Sequence, residues 1–191
     1  EGIHSVAITS SHATGITLSG NITTSDKASN DVSFTGKVVI SGDVDIDTQS
    51  AGQDGDITFS STIKGAGGTD DLILDTGTGA ITFNANTVIG GDNTPLDTLT
   101  INSSSSNVAL TIPQIGSGTD AGVTGQVDIG NSATATVSMR DALYNFGTGA
   151  VTITASSGGT GTTFAKSDAN VGVNLGGGNF KINNKMKITN G

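Results

Sequence analysis

Asp71–Asn102, DLILDTGTGAITFNANTVIGGDNTPLDTLTIN, decides how this chain is read. Within it three short segments alternate apolar and polar residues: LILD from Leu72, AITF from Ala80 and LTIN from Leu99. Each is closed by Gly, Asn, Asp or Pro. Alternation with period two marks half-buried strands, and those four residue types are the commonest turn formers. The stretch therefore predicts strand, turn, strand, turn, strand. Its outer segments are near copies of each other, and AITF has a near-twin, DITF, at Asp56.

Working outward, the copies fall into two series. One is Ile16-Thr17-Leu18, Val32-Ser33-Phe34, Ile57-Thr58-Phe59 and Ile81-Thr82-Phe83, with Val108-Ala109-Leu110 and Val151-Thr152-Ile153 as looser members. The other is Val44-Asp45-Ile46-Asp47, Leu72-Ile73-Leu74-Asp75 and Leu99-Thr100-Ile101-Asn102. Phe34, Phe59 and Phe83 are 25 and 24 residues apart, and Val44, Leu72 and Leu99 are 28 and 27 apart. A period in the twenties suits one coil of a parallel β-solenoid, in which each strand stacks on its equivalent in the next coil. The Phe positions then form an internal ladder at about 4.8 Å spacing, with Thr facing outward. At this period the chain gives roughly seven coils and a rod on the order of 35 Å long.

Composition agrees. Aromatics are 4% of the 191 residues and Trp is absent, so the core is built from thin layers of Val, Ile, Leu and Ala with six Phe. There are 29 Gly, and charged residues are only 13%, which favours strands and tight turns over helices. The net charge of −9 comes from 16 Asp against a single Glu. Asp is a turn residue, because its short carboxylate accepts from nearby backbone N–H groups. An acidic chain excludes the basic face that nucleic acid requires, and no segment has the run of apolar residues needed for membrane insertion by a helix. Absence of Cys removes disulfides, thiolate metal sites and Cys nucleophiles. The chain begins at Glu1 without an initiator Met and is read as a mature or excised piece of something longer.

The expected organisation is one β-repeat domain over residues 1–191, with its clearest repeats in 15–112, an irregular stretch in 113–125 and degenerate repeats or a cap in 126–191. Pro113 removes a ladder donor, and Ile115–Gly125 reads as a loop. Met139–Phe146, MRDALYNF, is the one helix-compatible segment. Charge is uneven: ten Asp and one Lys lie from Asp43 to Asp97, but four Lys and one Asp from Lys166 to Gly191. Lys near a terminal strand blocks unwanted edge pairing, and an acidic body with a basic end also suits head-to-tail association.

The order of elements in Asp71–Asn102 resembles the repeat of large bacterial surface exoproteins with β-strand repeats, the filamentous-haemagglutinin-like adhesins. Leu72, Leu74, Gly77, Gly79, Ile81, Phe83, Gly90, Gly91, Pro95, Leu96, Leu99 and Ile101 carry the likeness, which is partial over Asp43–Gly65 and fades after Gln114. It implies an all-β fold, a right-handed parallel β-helix, at the cell surface or outside the cell. It also implies a stalk, adhesin or matrix role without enzymatic activity.

Few residues suit chemistry. His4 and His12 lie outside any nucleophile motif and lack metal-site spacing. Asp70 and Asp71 are adjacent, so on a strand they point to opposite faces and do not form the carboxylate pair of a glycosidase. No catalytic residue is assigned. Ca²⁺ takes about six to eight oxygen ligands, and Asp43, Asp45 and Asp47 at period two, followed by Asp54 and Asp56, make an oxygen-rich cluster that suits it. Asp70, within Gly65–Ile73, stands in register with a single nonapeptide calcium repeat. The competing reading is that all six are solvated turn residues.

The expectation is a non-catalytic structural or adhesive segment of a secreted bacterial surface or matrix protein. Its partners would be other copies, in fibres or a longer stalk, and a surface glycan or protein receptor. An alternative is an antiparallel β-sandwich subunit of an extracellular filament, in which Ile3–Thr9 or Lys181–Thr189 completes a neighbour's sheet. A third is a β-helical enzyme acting on polysaccharide.

Overall fold

The computed structural model of the protein describes residues 3–24, 30–49, 51, 53–105, 108–166 and 171–190. The first coil holds β1 (Val6–Thr9), β2 (Ile16–Leu18) and β3 (Ile22–Thr23), and the second β4 (Val32–Thr35), β5 (Val38–Ile40) and β6 (Val44–Asp47). The third is β7 (Ile57–Phe59), β8 (Ile63–Gly65) and β9 (Leu72–Asp75), and the fourth β10 (Ile81–Phe83), β11 (Val88–Ile89) and β12 (Leu99–Asn102). β13 (Leu110–Ile112), β14 (Gln114–Ile115) and β15 (Val127–Ile129) make the fifth, followed by β16 (Thr136–Met139), β17 (Leu143–Phe146) and β18 (Val151–Thr154) in the sixth. The seventh is β19 (Gly161–Lys166), β20 (Gly172–Leu175) and β21 (Phe180–Asn183), and β22 (Met186–Asn190) begins an eighth.

These strands build three walls of a β-solenoid of about seven turns. The first wall is β1-β4-β7-β10 and, after a break, β13-β16-β19-β22; the second runs from β2 through every third strand to β20, and the third from β3 to β21. All strand pairings on the three walls are parallel, for example Leu72 with Leu99, Ile57 with Ile81 and Val127 with Val151. An antiparallel sandwich is therefore ruled out. The alternation that marks each strand in the sequence is the reason: Val44 and Ile46 point inward while Asp45 and Asp47 point outward. Stacking repeats that choice in the next coil, where Leu72 and Leu74 lie above them.

The core is one continuous apolar column. Phe34, Phe59 and Phe83 stack on the first wall with ring centroids 5.1 and 5.8 Å apart and planes 18° and 11° from parallel. Phe59, between the other two, is fully buried. Corners carry a second, polar ladder. Thr24, Thr48, Thr76 and Ser103 follow the strands of the third wall and are all buried. Thr48 Oγ1 donates to the Gly55 carbonyl at 2.7 Å and Thr76 Oγ1 to that of Gly79 at 2.9 Å. Next to them the T-G-x-G turn needs its glycines. Gly77 has φ +52, and a Cβ at Gly79 would collide with the Gly55 carbonyl of the coil below.

Downstream of the signature the ladder continues. Gln114–Ile115 is a strand of the second wall, and the chain then makes an excursion closed by Ser117 and Asp120, which exchange backbone hydrogen bonds of 3.2 and 2.8 Å. Val123 rejoins the stack by bridging Leu96 and Phe146. Met139–Phe146 is not helical: it closes β16, bends and forms β17, because Tyr144 and Phe146 alternate with Leu143 and Asn145 and fill the interior. Burial pushes the Tyr144 hydroxyl up out of its ordinary titration range; it donates to the Ile112 carbonyl at 3.0 Å. Two members of the Ile-Thr-Phe series sit elsewhere. Ile16–Leu18 belongs to the second wall, paired with Val38–Ile40, and Val151–Ile153 to the third, paired with Val127–Ile129.

Candidate functional site

The feature with the most unusual chemistry is the outer side of the third wall in its second to fifth coils. Asp45 and Asp47 project from β6, and stacking sets Asp75 of β9 over Asp47 and Asn102 of β12 over Asp75. Asn131, just past β15, donates its amide to Asn102, and Asn102 Nδ2 donates to Asp75 Oδ2 at 2.8 Å. The result is a rank of side chains along the rod axis, carboxylate below and carboxamide above. Burial raises the Asp45 pKa above its ordinary value, and repulsion from Asp47 and Asp75 adds to that shift. Asp45 Oδ1 is buried and accepts no hydrogen bond.

The other aspartates singled out from the sequence do not join this rank. Asp43 is exposed at the corner before β6. Asp54 Oδ2 accepts from both the backbone N–H and the hydroxyl of Thr78, each at 2.7 Å, and Asp56 Oδ1 accepts from Ala80 N–H at 2.7 Å. Asp70 is 5% exposed. Its Oδ1 accepts from Gly42 N–H at 2.7 Å, and its Oδ2 from Ala66 and Gly67 N–H at 2.7 and 2.8 Å. Burial pushes the Asp70 pKa up, but the N–H groups of Gly42, Gly67, Ala66 and Gly68 outweigh it and hold the carboxyl below its usual range. Asp54, Asp56 and Asp70 fasten one coil to the next. Among the described residues no three His, Asp or Glu side chains are grouped to hold a metal ion.

The remaining candidates are local. His12 is exposed, and its Nδ1 lies 2.8 Å from Thr14 Oγ1 and accepts from Thr14 N–H, closing its own turn. His4 is exposed. A surface cleft of about 370 Å³ lies between the 116–122 excursion and the last coils, bordered by Thr119, Asn145, Asn174 and Leu175. Asn145 is buried there and satisfied: its Nδ2 donates to Gly118 O at 2.7 Å, and its Oδ1 accepts from Asn174 Nδ2 at 2.6 Å. A smaller cleft of about 100 Å³ marks the break in the first wall, between Phe83 and Arg140. On that wall the outward positions carry hydroxyls, with Ser33, Thr58 and Thr82 in register and Thr111 resuming beyond the break; Ser138, in register with Thr111, is buried and its hydroxyl has no hydrogen-bond partner.

No family model matches the chain, and neither a curated protein nor a solved structure matches it. The reading of function therefore rests on the molecule itself. Two of its features were missed in the sequence. Asp75, Asn102 and Asn131 join Asp47 in one rank, which the repeated Asp or Asn after Ile46, Leu74 and Ile101 signals once the coils are aligned. The buried hydroxyl ladder has the same signal, because Thr48, Thr76 and Ser103 each follow that residue.

Proposed function

We propose that the chain is a non-catalytic structural or adhesive segment of a secreted bacterial cell-surface or extracellular-matrix protein. The observation that supports this is the stack of parallel coils around one apolar column, from Val6 to Ile182, which the second and third walls carry past the break in the first. Ladder hydrogen bonds run along the axis and side chains fill every layer, which makes a stiff spacer. The hydroxyl ranks of the first wall are the contact surface for a glycan or protein receptor, because aligned Ser and Thr offer donors and acceptors at little entropic cost. Incubation with bacterial and host polysaccharides is expected to release neither reducing ends nor unsaturated sugars. Release of either would overturn the reading.

A further inference from the structure

The break in the first wall opens the stack between two of its own coils. β10 and β13 lie on either side of it without pairing, and Pro113, just past β13, has no N–H with which to close the ladder. Phe59 covers one side of the Phe83 ring, and the wall breaks on the other. Phe83 is therefore half-buried and borders the cleft, while Phe34 and Phe59 are enclosed.

Three polar side chains stand around this ring. Asn84 and Thr111 are exposed on opposite sides of the break, and Arg140, which follows β16, is exposed beside them. Among the described residues none of the three makes a side-chain hydrogen bond, and the Arg140 guanidinium has no ion pair. Arg140 is the single Arg of a chain whose net charge is −9, so carboxylates are plentiful and this cation still meets none of them. The carboxylate on the rim, Asp141, is turned to its own corner, where Oδ1 accepts from Ala142 N–H at 2.7 Å.

Charge is sorted among the walls in a way that suits an anion here. None of the first wall's described strands contains Asp or Glu, whereas strands of the third wall carry Asp45, Asp47, Asp75 and Asp128. Lys187, which is exposed, shares the outward rank of Thr111, Ser138 and Thr163. An anionic chain laid along the first wall meets hydroxyls and two cations; on the third wall it would meet carboxylates.

The groups at the break narrow the class of anion. A guanidinium takes a carboxylate through two parallel N–H···O bonds. An aromatic ring offers the C–H groups of a sugar its electron-rich face, and an amide and a hydroxyl serve the sugar's own hydroxyls. A polyphosphate backbone would need a stripe of cations, which one guanidinium beside a ring does not supply. At about 100 Å³ the cleft is smaller than a pocket that encloses a whole small ligand, so it seats the charged substituent while the rest of the sugar rests on the wall.

We propose that the break in the first wall is a subsite for a uronic acid residue of an acidic polysaccharide, with its carboxylate on Arg140, its ring against Phe83 and its hydroxyls on Asn84 and Thr111. This rests on the adhesive reading above and gives it a ligand class and a place.

Isothermal titration of the 191-residue chain with a short oligogalacturonate is the test, beside the methyl ester of the same oligomer and a dextran sulfate of equal length. Binding of the acid that weakens with salt is expected, with the methyl ester about tenfold weaker. Arg140→Gln should abolish detectable binding, and Arg140→Lys should lose about tenfold, because an ammonium lacks the planar fork. Asn84→Ala and Thr111→Val should each lose about threefold. Lys181→Gln makes the same charge change on the third wall and should leave binding unchanged. These positions are all exposed, and circular dichroism should show every variant folded. No binding of the acid by the folded wild type, equal binding of the methyl ester, tighter binding of dextran sulfate, or equal losses from Arg140→Gln and Lys181→Gln overturns the subsite. Release of shorter sugars overturns the adhesive reading instead, whereas failure to bind without release leaves that reading standing.

Discussion

Coils two to four and coils five to seven have the same three walls but hold their corners by different chemistry. Upstream, carboxylates do the fastening: Asp56 accepts from Ala80 N–H, Asp71 from Thr98 N–H, and Asp70 from Gly42, Ala66 and Gly67 N–H. Downstream the same task falls mostly to neutral groups, although Asp141 Oδ1 accepts from Ala142 N–H at the corner before β17. Asn131 Oδ1 accepts from Ala133 and Thr134 N–H, Ser156 Oγ from Gly159 N–H, and Asn183 Nδ2 donates to Thr154 Oγ1. The cores differ too. Phe34, Phe59 and Phe83 stack as a uniform column, whereas Leu110, Val137, Thr162 and Met186 make a mixed one on the same wall. One backbone geometry thus accepts two kinds of corner and two kinds of core. What the coils share is inward–outward alternation and glycine where backbones meet.

The largest effect should come from breaking the uniform column. Phe59→Ala removes a ring with neighbours on both sides and no exposure, and should cost about 3–5 kcal/mol in urea unfolding. Phe164→Ala is the downstream counterpart. Phe164 is 9% exposed and its one ring contact among the described residues is with Phe180, at a 56° tilt and 6.5 Å, so its loss should cost clearly less. Equal costs would mean that the upstream stack contributes no more than burial alone.

The contrast explains what the sequence does and does not show. The uniform upstream column is legible because Phe34, Phe59 and Phe83 recur at nearly constant spacing, and Val44, Leu72 and Leu99 do the same on the third wall. Downstream, spacing drifts: Ile16 pairs with Val38, 22 residues on, but Tyr144 pairs with Val173, 29 residues on. Corners absorb such differences without disturbing a strand, as the 116–122 excursion does. All three walls also draw on the same Val, Ile and Thr, so Ile16–Leu18 and Val151–Ile153 carry no mark of the wall they occupy. Aspartates are plain in the sequence. Which of them meets a backbone N–H of the next coil depends on corner geometry, and no spacing rule encodes that.

Acid should separate the two halves. Asp70 has a folded pKa below its unfolded value, so its stabilisation is fully present above about pH 4 and is lost as pH falls through the folded value. Asp70→Asn replaces an acceptor of several N–H groups by an amide that presents N–H to N–H, and should cost about 2 kcal/mol at pH 7. That cost should shrink as pH falls below 4, because the wild type then loses the same interaction. Hydrogen exchange read along the chain should show Val44–Asn102 losing protection in acid before Val127–Thr154, whose neighbouring corners depend on Asn and Ser. Simultaneous loss would mean that the coils unfold as one unit whatever fastens them.

The smallest effect runs in the opposite direction. Thr162 is an inward residue of the mixed column, fully buried between Val137 and Met186 in its ladder, and its hydroxyl has no hydrogen-bond partner. A buried hydroxyl without a partner keeps its desolvation cost, while valine has the same shape and the same branching for a strand. Thr162→Val should therefore raise stability by about 1 kcal/mol, read as a higher urea midpoint at unchanged slope. Upstream the matching exchange has the opposite sign. Thr48 is as buried as Thr162, but its hydroxyl donates to the Gly55 carbonyl, so Thr48→Val removes a bond and leaves a buried acceptor unpaired. A gain at Thr162 with a loss at Thr48 would show that burial alone does not set the contribution of a hydroxyl in this rod; the corner or core position around it does.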